Sequence, residues 1–168
     1  SEIDHLDTLL IDWAQWNDTC TFMTDRNQNY VSSNLPAGVL SQIDLGAILF
    51  IDTSERLVLG RIVDLDTKKE MPASQDFLNT LVLKGSLICH NESDMFKGII
   101  LFPGGTLIIS SRPILNSNGK GPVRGTLIMG RFLDSRLAHL NETTQLPIVI
   151  HRINDSNMPL DFAAMQRS

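Results

Sequence analysis

The chain is poor in cysteine, with Cys20 and Cys89 its only two in 168 residues. They form no CxxC pair, which excludes a zinc ribbon and a thioredoxin-like motif. Cys89-His90 lacks the first cysteine of a haem attachment motif. Two separate buried thiols, or one disulfide between a helix and a strand, both remain open. Long apolar runs are also missing. Residues 98–102 and 106–109 are strand-sized and split by Pro103-Gly104-Gly105, well short of the roughly 20 residues that cross a bilayer. Positive charge is scarce, with 14 Lys and Arg against 19 Asp and Glu and a net charge of −5. No basic stripe exists to neutralise phosphates, which disfavours nucleic acid and an anionic membrane surface as partners.

Catalytic and cofactor motifs are absent too. The histidines at 5, 90, 139 and 151 show no HExxH or paired metal spacing. No Gly-x-Ser-x-Gly elbow frames a nucleophile. Gly119-Lys120-Gly121-Pro122 lacks the Lys-Ser/Thr ending and the following helix of a phosphate loop, so it is read as a turn. There is no internal repeat and no low-complexity segment. The expectation is a protein with no enzyme activity of its own, no metal and no cofactor.

What is present is globular. Apolar residues make up 42% and charged residues 20%, enough for one domain with a sizeable core. Ile3, Leu6, Leu9, Leu10, Trp13, Trp16, Cys20 and Met23 recur at three- and four-residue steps, which predicts one helix over residues 2–24. Its other side carries Glu2, Asp4, Asp7, Gln15 and Asp18. Residues 25–29 are a polar stop, and a short helix passes through Val39, Leu40 and Ile43. Residues 47–52 and 57–62 form a predicted hairpin. Residues 68–72 are a polar loop, and Ser74 caps a helix holding Phe77, Leu78, Leu81 and Val82. Strands follow at 98–102, 106–114 and 123–132. Asp134 caps a helix through Leu137, Ala138 and Leu140, and 147–153 is the last strand.

This order predicts an α+β fold, one antiparallel sheet with helices on one side. The N-terminal helix occupies 1–24, the sheet-containing core 45–153, and a weakly patterned tail 154–168. The chain opens on Ser1 with no signal peptide, so targeting and membrane segments are expected outside it. Four Asn-x-Ser/Thr sequons, at Asn17, Asn91, Asn141 and Asn154, favour an exported domain.

Several side chains are candidates for a site. Trp13 and Trp16 share one helix face, either as an aromatic wall of a ligand pocket or as an anchor to the sheet. Arg112 and Arg131 lie in apolar strands, where an unpaired charge is costly. Each either pairs with a protein carboxylate or receives a small anionic ligand. Asp12 and Asp18 are the carboxylates offered to them, or else part of a solvated helix face. Arg61 and Tyr30 are expected at the same pocket.

Asp12-Trp13-Ala14-Gln15-Trp16-Asn17-Asp18-Thr19, followed by Phe22-Met23, resembles the opening signature of the CHASE4 sensory domain. Arg112-Pro113-Ile114, Gly119 to Pro122 and Gly125 to Asp134 are similar to its closing half. Residues 48–52 and 54–58 resemble its first hairpin. The similarity covers roughly residues 5–150. Asn17 stands where the family often has a second acid, and Cys20 where it often has an aromatic.

The resemblance implies a PAS- or Cache-like sensor with a long N-terminal helix packed on a central antiparallel sheet. It also implies a place outside the cytoplasmic membrane, between two membrane spans of a receptor such as a histidine kinase or nucleotide cyclase. The expected function is ligand sensing, passed through the N-terminal helix to the membrane. A ligand-free interaction or spacer module of a receptor is the alternative. The apolar stripe from Ile3 to Trp16 is also expected to pair two copies into a homodimer.

Overall fold

A computed structural model describes residues 2–64, 66–82, 87–102, 105–133, 149–152 and 159–161. Its centre is β1 (Ala47–Ile51), whose five residues are all buried. An apolar strand without alternation needs cover on both faces, and this one has it. Ile48 and Phe50 face one core with Leu6, Leu10, Phe22 and Leu40. Leu49 and Ile51 face a second core with Leu78, Leu81, Leu87 and Ile88. The two-residue alternation of strand side chains makes this division. It repeats at Ile108 against Leu107 and Ile109, and at Leu127 and Met129 against Ile128.

β1 pairs with β2 (Leu57–Val63) in the expected hairpin, and β2 with β3 (Glu70–Pro72). On its other side β1 pairs with β6 (Thr126–Phe132), then come β5 (Gly105–Pro113) and β4 (Phe96–Phe102). Two short strands, β7 (Val149–Arg152) and β8 (Pro159–Asp161), continue the sheet beyond β4. All pairs are antiparallel, in the order β3-β2-β1-β6-β5-β4-β7-β8. The α+β architecture is thus the expected one. Residues 159–161, expected in an unpatterned tail, add a strand, and the predicted helix after Asp134 lies outside the described residues.

The helices sit on both faces, not one. α1 (Glu2–Ala14), α2 (Asn17–Asp25), α3 (Gln28–Asn34) and α4 (Val39–Gln42) cover the first core. α5 (Gln75–Val82) covers the second, with Ser74 Oγ accepting from Phe77 N at 3.0 Å as its cap.

The predicted helix over 2–24 is also two helices. Buried positions run Ile3, Leu6, Asp7, Leu10, Ala14, then skip four residues to Thr19 before Phe22 and Met23. A continuous helix would turn Asn17 and Asp18 toward the core after Ala14. The chain instead opens at Trp16, which is extended at φ −147°, ψ 128°. There it joins the β5–β6 connection. Leu115 N donates to Ala14 O at 2.9 Å and Trp16 N to Leu115 O at 3.2 Å. Ser117 Oγ accepts from Asn17 N, and Asn17 Oδ1 from Ser117 N, each at 2.9 Å. A residue a hundred positions away thus serves the first turn of α2, where no local side chain caps it.

The polar stop at 25–29 both ends α2 and starts α3. Arg26 takes the left-handed conformation after α2, and Asn27 Oδ1 accepts from Tyr30 N at 2.7 Å as the cap of α3.

Candidate functional site

Position 7 lies four residues after Ile3 and three before Leu10, so the geometry of α1 carries Asp7 inward with them. Its carboxylate is buried against β4 and β5. Arg112 Nε donates to Oδ1 at 2.8 Å and Nη2 to Oδ2 at 2.6 Å. Ser110 Oγ donates to Oδ1 at 2.8 Å, and Lys97 Nζ stands 3.6 Å from Oδ2. Lys97 is opposite Ser110 in the β4–β5 register, and Ser110 and Arg112 share one face of β5. Burial pushes the Asp7 carboxyl upward, but the bonds from Arg112 and Ser110 and the charges of Arg112 and Lys97 outweigh it. Asp7 is held below the usual aspartate range.

Two further contacts extend this arrangement along α1. Lys97 Nζ is 3.4 Å from Asp4 Oδ1, and Arg131 Nη1 is 3.6 Å from Glu2 Oε2. Bases on three adjacent strands, β4, β5 and β6, therefore grip acids on one helix. Arg131 also holds the end of α4, with Nε donating to Asp44 O at 2.7 Å and Nη2 to Ile43 O at 3.4 Å. Asp12 and Asp18 are exposed. The carboxylates on Arg112 and Arg131 come from Asp7, Glu2 and Asp44 instead. Both guanidiniums already have acceptors within the chain.

The family model described as "CHASE4 domain" matches residues 1–151. The chain belongs to the CHASE4 domain family. This CHASE4 domain is 38% identical over 128 residues to "Methanogenesis regulatory histidine kinase FilI" of Methanothrix harundinacea (strain 6Ac). The match takes in 76% of the chain and 14% of that protein, so the chain spans a small part of the relative's length. Its fold is similar to the "extracellular domain of the putative histidine kinase vpHK1S-Z8", with a TM-score of 0.50 and 15% identity. That likeness covers 80% of the chain and 54% of the solved one.

The CHASE4 domain does not gather the six expected ligand residues into one pocket. Trp13 and Trp16 line a shallow cavity of about 280 Å³ with Asp12 and Asn34. Both indoles also pack on the first core, and Trp16 lies 5.8 Å from the Tyr30 ring. Tyr30 is stacked on Phe22 at 4.7 Å, and its hydroxyl is 2.8 Å from Thr19 Oγ1. Burial, partly offset by the Thr19 bond, pushes its pKa up to about 12. It borders a neighbouring cavity of about 270 Å³ with Asp18 and Asn34. Arg61 lines a third, of about 280 Å³, beside Glu70, Ala37 and Pro72. Arg112 and Arg131 line none of these three.

Cys20 and Cys89 are both free thiols. Cys89 is buried with Sγ 3.5 Å from Ser111 Oγ, and burial raises its pKa to about 11. The expected turn at Gly119 to Pro122 is closed from Asn116, whose Oδ1 accepts from Asn118 N and Lys120 N. At the Asn17 sequon, the Asn17 side chain is engaged by Ser117 and Thr19 is fully buried. Asn91 is exposed, and Asn141 and Asn154 lie outside the described residues. Among the described residues no acidic or histidine cluster could hold a metal, and no helix is long and apolar enough to cross a membrane.

Sequence reasoning missed Asp7, Lys97 and Ser110. Asp7 was assigned to the polar side of the helix, although its spacing from Ile3 and Leu10 puts it on the buried one. An acid on an apolar face, with Arg112 and Lys97 in apolar strands, was the available signal.

Proposed function

We propose that this domain is the extracytoplasmic ligand-sensing part of a membrane-bound histidine kinase, and that α1 carries its signal to the membrane. The observation that carries this reading is the grip of three strands on α1 through Asp7, Asp4 and Glu2. A buried, hydrogen-bonded ion pair is stiff and specific in direction. A ligand that shifts the sheet therefore moves α1 with it, provided it binds the two arrangements unequally. Family membership and the similarity to a histidine kinase over 76% of the chain support the output assigned.

The homodimer uses what α1 leaves outward. Leu6 and Leu10 are fully buried within the chain, so the stripe from Ile3 to Trp16 is largely spent on its own sheet. Leu9 and Trp13 are half-buried and are the apolar members available to a second copy.

The test is a thermal-shift panel of organic acids, amino acids, amines, nucleobases and ions. Hits are then carried into phosphorylation assays of the full-length receptor in vesicles. A true ligand stabilises the domain by about 2.7 kcal/mol at a hundredfold excess over its dissociation constant, and it changes the phosphorylation rate. A panel with no saturable hit, in a receptor whose kinase is active, would instead favour a ligand-free interaction module.

A further inference from the structure

Among the described residues, one buried side-chain oxygen or nitrogen has no hydrogen-bond partner: Glu70 Oε2. Buried polar groups in native proteins are nearly always paired, and an orphan carboxylate oxygen asks for a donor. Glu70 lines the cavity of about 280 Å³ between the β2–β3 hairpin and the turn before α4. The volume is near the lower end for small-molecule pockets, roughly 300–1,000 Å³.

Among the described residues, two charged ones line this cavity, Glu70 and Arg61. Arg61 Nη1 donates to the Leu35 carbonyl and lies 3.4 Å from Glu70 Oε1. Its Nε and Nη2 donate to no acceptor among the described residues, which leaves one edge of the guanidinium unused. The remaining wall includes Leu59, Met71 and Pro72. Among the described residues, Met71 is the large apolar side chain left exposed, at 42%.

We propose that this cavity is the ligand site of the sensor and takes a small α-amino acid with an apolar side chain. The ligand ammonium donates to Glu70 Oε2, and its carboxylate accepts from Arg61 Nε and Nη2. The side chain covers Met71 against Leu59 and Pro72. A carboxylic acid alone would leave Oε2 without a donor and set an anion beside Glu70. An amine alone would set a cation beside Arg61. A molecule with both charged groups on one carbon suits a carboxylate and a guanidinium that already lie side by side, with Glu70 Oε1 3.4 Å from Arg61 Nη1. Because Arg61 also holds Leu35 O, occupancy is felt in the helix layer.

The assignment rests on the sensor reading above. Its test is calorimetry of the 168-residue chain with L-alanine, L-leucine and L-methionine. The single-charge controls are 4-methylpentanoate and 3-methylbutylamine. At least one amino acid is expected to bind saturably, and its single-charge analogue at least tenfold more weakly. Glu70→Met, which removes the acceptor, and Glu70→Gln, which removes the charge, are both expected to weaken binding at least tenfold. Circular dichroism checks that the variants are folded. No binding of any of the three amino acids, equal binding of a control, or undiminished binding by both folded variants would overturn the proposal. Binding here without any change in receptor phosphorylation would sink the sensor reading but leave the site. A different panel compound that binds and drives phosphorylation, with no amino acid bound, would do the reverse.

Discussion

Arg112 holds both oxygens of Asp7, through Nε at 2.8 Å and Nη2 at 2.6 Å, and joins the N-terminal helix to a strand 105 residues away. The carboxylate is buried, and its remaining contacts are Ser110 and Lys97. Breaking a buried pair leaves a charge without compensation.

Asp7→Asn is therefore expected to destabilise the domain by about 3 kcal/mol, the lower end for such pairs because Arg112 and Lys97 keep some solvent. The sign of the pH effect follows from the depressed carboxyl. Asp7 contributes its full stability above the unfolded aspartate value of about 3.9 and loses it as pH falls through its lower folded value. Urea denaturation from pH 7 to 2 checks this. The wild type should lose its advantage over Asp7→Asn on the acid limb. A constant difference between the two would contradict the assignment.

Tyr30 is the only tyrosine, so its titration can be followed alone. Absorbance at 295 nm should report ionisation near 12, with an earlier step near 10 only if the domain unfolds. The raised value means that Tyr30 contributes stability fully below about pH 10, lost as pH rises toward 12. Thr19→Val removes the bond that lowers the value and should move ionisation higher still.

The reciprocal bonds between Asn17 and Ser117 hold the break between α1 and α2. Asn17→Ala and Ser117→Ala should each cost about 1 kcal/mol. The double variant should cost about the sum, because each removes a different bond: Ser117→Ala the one from Asn17 N, Asn17→Ala the one from Ser117 N. A double loss no larger than either single loss in thermal unfolding would show that neither bond forms without the other.

Without reductant, alkylation under denaturing conditions should modify two thiols per chain, as expected for free Cys20 and Cys89. Under native conditions Cys89 should resist, since its thiol is buried and pushed up to about 11. Mass spectrometry that finds a Cys20–Cys89 disulfide would refute this.

Much of the fold was legible because strands and capped helices are local. Residues 47–52 and 57–62 read as a hairpin from apolar runs around a turn, and Ser74 read as a cap from its place before Phe77. The break at Trp16 was not legible, since Ile3 to Met23 contains no Pro or Gly and keeps an unbroken half-buried stripe through Leu9, Trp13, Trp16 and Cys20. α3 was missed because seven residues with one buried side chain carry little periodicity.

By itself the sequence determined the class of the chain: an α+β fold with a CHASE4 signature, a sheet core and an acidic N-terminal helix. These follow from composition, local periodicity and motif, which neighbouring residues carry. Only the tertiary structure decided the partners of the charges. Arg112 could have met any carboxylate on the helix, and it met Asp7 because the phase of α1 turns positions 3, 7 and 10 to the sheet. Likewise Glu70 was one acid in a polar loop until pairing with β2 set it beside Arg61 and left its second oxygen unbonded. Such pairings join residues far apart in the chain, and no local pattern records which of several equal charges the packing will bring together.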